Sequence, residues 1–258
     1  MRLNYDTFTG RRSAFVCVAF ALILATCAAY AVCSPQILKF LSQFLGENAC
    51  RAASMLIQYG LVAASVLVAA LCTERKHPLK EKLGLSMAPE YSLRFLFPVF
   101  ALAVVVTFTA QIGLSSLLKA VGREVKEQSV VEQFRSLKPL AFFGFALITV
   151  VAAPIAEELA FRHIFYRFVR VFLYRKEAAV AVSLIFALFH MRFDRLSAKP
   201  FPWECFVVPV IPLFLLALFF QQQYEKSKSV IPSTLLHMGF NLISVFLLFL
   251  QVHYHVGE

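Results

Sequence analysis

The pattern of apolar and polar positions is one of long continuous runs, not of short alternating segments. Apolar runs occupy residues 14–33, 53–72, 95–118, 140–174, 178–190, 203–220 and 230–250. Several reach the roughly 20 residues that a helix needs to cross a hydrocarbon core. The spacing predicts an all-α, polytopic transmembrane helical bundle of about seven spans. A transmembrane β-barrel would show strands of about ten residues with period-two alternation, and none is visible.

Two stretches carry a one-sided pattern instead. Residues 34–45 place Ile37, Leu38, Leu41, Phe44 and Leu45 at helical spacing, and residues 123–138 do the same with Val130, Val131, Phe134 and Leu137. Both read as amphipathic helices at the interface, with a gate above a site as the alternative for the second. The run from 140 to 174 is longer than one crossing, so it must tilt, bend or project. Pro154 removes a backbone donor within it and supplies a reason to bend. Pro209 and Pro212 interrupt the sixth run. The chain divides into an N-terminal membrane region, residues 1–138, and a membrane core, residues 139–258, as one integrated domain.

Composition agrees: 60% of the 258 residues are hydrophobic and 16% charged, against about 25% charged in soluble domains. The net charge of +10 does not indicate nucleic acid, because the Lys and Arg residues are spread over the breaks between runs. More than half of the 25 lie on the side that holds the N-terminus, which predicts a cytoplasmic N-terminus. The first run is too long for a signal-peptide core and reads as an uncleaved span. Six cysteines, without C-x-x-C spacing, read as small hydrophobes in the spans. His163, Arg167 and Arg170 read as headgroup contacts, and His77, His253 and His255 as solvated.

Against that background a few polar residues stand out. Glu157 and Glu158 lie inside the fourth run with Arg162 four residues on; Phe186 and His190 close the fifth; His237 and Asn241 share a face of the seventh. Ionisable residues at bilayer depth are expensive and mark functional sites by default. At about 1.5 Å of rise per residue, Glu157, His190, His237 and Asn241 all fall roughly 12 to 22 Å from the same surface. Their convergence in one slab predicts a shared site. A carboxylate sheltered from bulk water can take a proton from a water molecule, and a neutral histidine can orient that water. A second histidine and an amide can donate hydrogen bonds to a developing oxyanion. The set suits addition of water to an amide carbonyl. Two histidines and a glutamate are also a zinc ligand set, so Glu157, His190 and His237 leave Zn2+ open.

Glu157-Glu158-x-x-x-Arg162, Phe186-x-x-x-His190 and His237-x-x-x-Asn241 resemble the three motifs of the CPBP family, the CAAX-processing and bacteriocin-processing intramembrane proteases. The family includes the type II CAAX prenyl endopeptidase, and the resemblance covers about residues 140–250. It implies an intramembrane endopeptidase in which Glu157 and His190 activate water and His237 and Asn241 stabilise the oxyanion. Glu158, Arg162 and Phe186 would support the site. It is compatible with both a metal-free glutamate mechanism and a metalloprotease. The implied partners are the lipid bilayer and a membrane peptide or prenylated protein. The implied location is the cell membrane in a bacterium or the endoplasmic reticulum in a eukaryote. The competing readings are a non-catalytic scaffold or self-immunity factor of the same family, and a proton-coupled transporter. The transporter reading expects paired repeats, which the sequence lacks.

Overall fold

The computed structural model describes residues 11–72, 78–123, 134, 135, 137, 139–191 and 203–254. Among these residues the secondary structure is helical and no strand occurs. The main elements are α1 (Arg11–Leu41), α2 (Glu47–Cys72) and α3 (Leu96–Ala120), then a broken fourth helix, then α7 (Arg175–Leu188), α8 (Glu204–Ser227) and α9 (Val230–Tyr254). The fourth helix consists of α4 (Pro139–Leu147), a π-helical turn at Ile148–Ala152, α5 (Ala153–Glu158), a second π segment at Leu159–Phe165, and α6 (Tyr166–Val169). Among the described residues six helices are long and apolar enough to cross a membrane. The protein is a multi-pass integral membrane protein.

The fifth expected span differs. It is α7, only 14 residues long, or about 21 Å at helical rise, short of a hydrocarbon core of about 30 Å. Arg175, Lys176 and Glu177 in its first turn account for the late start of the apolar run. It nevertheless takes its place in the alternation, running antiparallel to α8. The Arg175 guanidinium meets Glu225, near the end of α8, at 2.5 Å; that hydrogen bond raises the pKa of Arg175 above its ordinary value.

Two expectations are corrected. Residues 34–45 do not form a separate interfacial helix: α1 runs through Pro35 to Leu41 and a turn follows at 42–44. Pro35 cannot donate to the Ala31 carbonyl, and the Ser34 hydroxyl donates there instead at 3.3 Å. Likewise α8 is continuous through Pro209 and Pro212. The surface-helix reading of residues 123–138 is tested only at its end. Phe134 and Leu137 are buried, packed with Phe142 and Phe145 and not laid on lipid; Val130 and Val131 lie outside the described residues, as do His77 and His255.

One end of the bundle is held by the loop around Gly84. The Gly84 carbonyl accepts from the Val230 amide (2.8 Å) and the Ser229 hydroxyl (2.8 Å), and the Ala88 amide donates to the Ser227 carbonyl (2.7 Å). Lys82 Nζ donates to the Ala70 carbonyl at the end of α2 (2.7 Å). His163 closes the arrangement and is buried, not at a headgroup. Its Nε2 donates to the Lys82 carbonyl (2.6 Å), leaving Nδ1 to accept from the Tyr224 hydroxyl (3.3 Å). Arg167 faces the Phe15 ring at 5.7 Å, and Arg170 donates to the Leu173 carbonyl; both serve protein contacts.

Gly84 has φ +69°, and a Cβ there would sit 2.5 Å from His163 Nδ1. Gly84→Ala combines left-handed backbone strain with a collision against a fully packed ring, and should cost about 2 to 4 kcal/mol. Thermal unfolding of the detergent-solubilised variant checks this, with Gly46→Ala, whose Cβ would meet nothing within 4 Å, as the control.

Candidate active site

The site is built on α5, a six-residue stretch of α-helix between two π segments. Pro154 explains the first of these. Its ring would clash with the carbonyl one turn earlier, and widening the preceding turn to a π-helix relieves that clash without breaking the rod. The expected bend is thus a local widening. It sets Glu157 and Glu158 on different faces of the fourth helix.

Glu158 faces inward and is fully buried, as is Arg162. Arg162 Nε lies 3.4 Å from Glu158 Oε2, so the pair anticipated from their four-residue spacing is present. The guanidinium is held further by the rings of Phe186 (4.5 Å) and Phe220 (5.6 Å), and Nη2 reaches the Ala217 carbonyl at 3.4 Å. An ion pair without water needs such additional partners to offset its desolvation. Phe186 has several roles here, because its ring also lies 4.7 Å from that of His190 and 5.8 Å from that of His237.

His237 sits between the two glutamates. Its Nδ1 donates to Glu158 Oε1 at 3.1 Å, and its Nε2 is 3.8 Å from Glu157 Oε2. Phe220 stacks on the imidazole at 4.7 Å. With Nδ1 donating to Glu158, Nε2 is the nitrogen turned towards Glu157. The sequence placed His237 with Asn241 as a pair; its immediate partners are instead the carboxylates. Asn241 Nδ2 donates to the Thr149 carbonyl at 2.9 Å, which uses one of its two amide hydrogens. That carbonyl lies in the first π segment, where the regular ladder is disturbed and a carbonyl is left for a side chain.

His190 follows the end of α7. Its Nδ1 donates to the Phe186 carbonyl at 2.8 Å, which leaves Nε2 as an acceptor. The i to i+4 spacing of Phe186 and His190 therefore sets the ring's tautomer as well as its stacking.

Glu157, His190, His237 and Asn241 all line one cavity of about 870 Å3. Glu157 keeps 19% of its side chain accessible while Glu158 has none; Glu157 is the carboxylate that meets the cavity. Sequence reasoning missed several lining residues. Tyr59 on α2 lines the same cavity as Glu157, as do Thr107 on α3 and Thr149. Their only signal was a polar residue within an apolar run. Phe220, which stacks on His237, lies in a run of similar residues and gave none.

The donor set named for zinc, Glu157, His190 and His237, lines the cavity. Among the described residues no three His, Cys, Asp or Glu side chains are grouped to hold a metal ion. His237 Nδ1 is committed to Glu158, and its Nε2 is directed to Glu157.

The architecture and the motifs agree with the one comparison that gives a match. Residues 139–243 match the sequence model of a family described as type II CAAX prenyl endopeptidase Rce1-like. No curated protein and no solved structure matches the chain. The matched segment begins at the first residue of the broken fourth helix and ends just beyond Asn241, so it contains every element that carries the three motifs. The Rce1-like match at residues 139–243 supports membership of the CPBP family, with a CAAX-type intramembrane protease kind of function.

Proposed function

We propose that the protein is an intramembrane endopeptidase that hydrolyses a peptide bond within the bilayer, with Glu157 as the base. The observation that carries this reading is the difference between two adjacent carboxylates: Glu158 is neutralised by Arg162 and His237, while Glu157 faces the cavity. A purely structural ion pair would need only the first.

In the proposed reaction a water molecule lies between Glu157 and His190 Nε2. Glu157 takes one proton as the oxygen attacks the carbonyl carbon. The negative charge that develops on the carbonyl oxygen is met by the amide hydrogen of Asn241 not used by Thr149, and by the second proton that His237 carries on Nε2 in its imidazolium form. The C–N bond then breaks as Glu157 returns its proton to the leaving amine. One water is consumed, and a carboxyl and an amino terminus are formed. Glu158, Arg162 and Phe186 act as positioning residues: they set the angle of His237 and, through Phe186, that of His190.

The substrate class proposed is a membrane-associated peptide, with prenylated CAAX-type proteins included through the family. The end of the bundle that holds Gly84 is proposed to face the cytoplasm, from the distribution of Lys and Arg. The reading is metal-free, because among the described residues no three His, Cys, Asp or Glu side chains are grouped to hold a metal ion. Incubating the purified protein with a chelator and a quenched fluorescent peptide library should therefore leave cleavage rates within about twofold of the untreated protein, whereas a catalytic metal would be worth several kcal/mol of transition-state stabilisation. Loss of cleavage restored by added Zn2+ would overturn the metal-free route. A library that the wild type leaves intact under both conditions would count against the peptidase reading.

A further inference from the structure

The hydroxyls on the membrane helices fall into two groups. Thr26 donates to the Leu22 carbonyl (2.8 Å), Ser65 to Leu61 (2.8 Å) and Ser244 to Phe240 (3.0 Å), each returning to its own helix. That is the usual solution for Ser and Thr where water is absent. Thr107 and Thr149 do not follow it: the buried Oγ1 of each has no hydrogen-bond partner. Thr107 is 1% exposed. Among the described residues these are the only partnerless buried hydroxyls that line the cavity; Ser86 and Ser183, the other two, do not.

A buried polar group without a partner is costly, and its place beside the candidate catalytic residues suggests what would satisfy it. The Thr149 carbonyl already accepts from Asn241, so its hydroxyl lies one residue's breadth from the proposed oxyanion donor. Thr107 comes from α3, outside the segment matched by the family. Around them the cavity is mostly apolar, with Phe108, Leu216, Phe240 and Val245 among its walls beside Gln111 and Ser244, and among the described residues no Lys or Arg lines it. A peptide entering such a space brings apolar side chains that the apolar walls accept and main-chain N–H and C=O groups that those walls cannot satisfy. A hydroxyl can donate to one and accept from the other.

We propose that Thr107 and Thr149 form a main-chain-binding subsite that holds an extended peptide segment with uncharged side chains across the face of Glu157. The proposal rests on the hydrolase reading above and names the part of the cavity that recognises the substrate. It makes binding depend on amide hydrogen bonds and not on a charged group of the substrate.

The test separates binding from cleavage by using the full-length Glu157→Gln protein in detergent micelles. The probe is a fluorescein-labelled octapeptide of Ala, Leu, Val and Phe, with a parallel series in which one amide at a time is N-methylated. Fluorescence anisotropy should show Thr107→Val and Thr149→Val weakening binding by about three- to tenfold, with Thr107→Ser close to the threonine protein. One N-methyl position should cost the threonine protein a similar factor and cost Thr107→Val almost nothing. Unchanged affinity in both valine variants, or N-methyl penalties that add fully to theirs, would overturn the subsite. So would a Glu157→Gln protein that fails to bind the octapeptide at all. In that case cleavage of the octapeptide by the wild type would still uphold the hydrolase, and its absence would remove both readings.

Discussion

Glu157→Gln should abolish peptide hydrolysis, lowering the rate by about 10^3 to 10^4, while leaving helical content and thermal stability almost unchanged. The substitution keeps the shape of the side chain and removes the group that takes the proton; general-base catalysis alone is worth about 10^2 to 10^4. Glu157 makes no ion pair with Arg162 and retains access to the cavity, so the fold does not depend on its charge. Cleavage of a quenched fluorescent peptide by purified protein, measured beside circular dichroism melts, reads both quantities. Full activity in the variant would remove the base from the mechanism. Activity loss with an equal loss of melting temperature would mean that Glu157 is structural. A scaffold or immunity role predicts the reverse of the expected result, namely that Glu157→Gln and His190→Ala both retain the cellular phenotype of the wild type.

Arg162→Ala should behave in the opposite way, collapsing stability first. It leaves Glu158 fully buried without its guanidinium, while His237 at 3.1 Å still bonds to it. Breaking a buried ion pair by removing one member costs about 3 to 5 kcal/mol. For a chain of this size that corresponds to roughly 10 °C in melting temperature. Glu158→Gln combined with Arg162→Met should recover much of the loss, since the uncompensated charge is gone and the methionine can still pack between Phe186 and Phe220. Melting curves of the single and double variants decide this. Equal melting temperatures for the wild type and Arg162→Ala would show that the pair contributes nothing. Arg162→Lys should fall between, because an ammonium cannot lie as a plane over the Phe186 ring while it reaches Glu158.

These two expectations draw on different levels of the sequence. Six of the seven expected spans were readable from run length, and helical rise alone gave reason to look for Glu157, His190, His237 and Asn241 around one space, as the shared cavity has them. Both depend on the bilayer, which fixes a common frame before any tertiary contact is known. The pairing of Glu158 with Arg162 was readable for a similar reason, since residues four apart share a face. The detail of His237 was not readable: which nitrogen meets which carboxylate depends on the rotation of α9 against α5. Gly239 helps to set that rotation, because it faces the Phe100 ring of α3 with room for no more than a hydrogen. Nor could apolar length reveal that α7 stops at 14 residues, because its charged first turn and the polar stretch after it consume part of the run. His163 was misplaced because a histidine near a run's end resembles an interfacial residue; only the approach of Gly84 shows it enclosed. Tyr59, Thr107 and Phe220 come from helices that carry none of the three motifs, so nothing in sequence order linked them to the site.

The π segment at Ile148–Ala152 accommodates one residue more than an α-helical turn would hold. Relaxing these same residues into a uniform α-helical rod, which in isolation is the more comfortable geometry, would carry the surplus residue into the helix. Everything downstream would then turn by about 100° around the axis, carrying Glu157 off the cavity wall. Chain length in this stretch therefore acts as an angular setting: the protein tolerates an awkward turn because that turn aims the carboxylate.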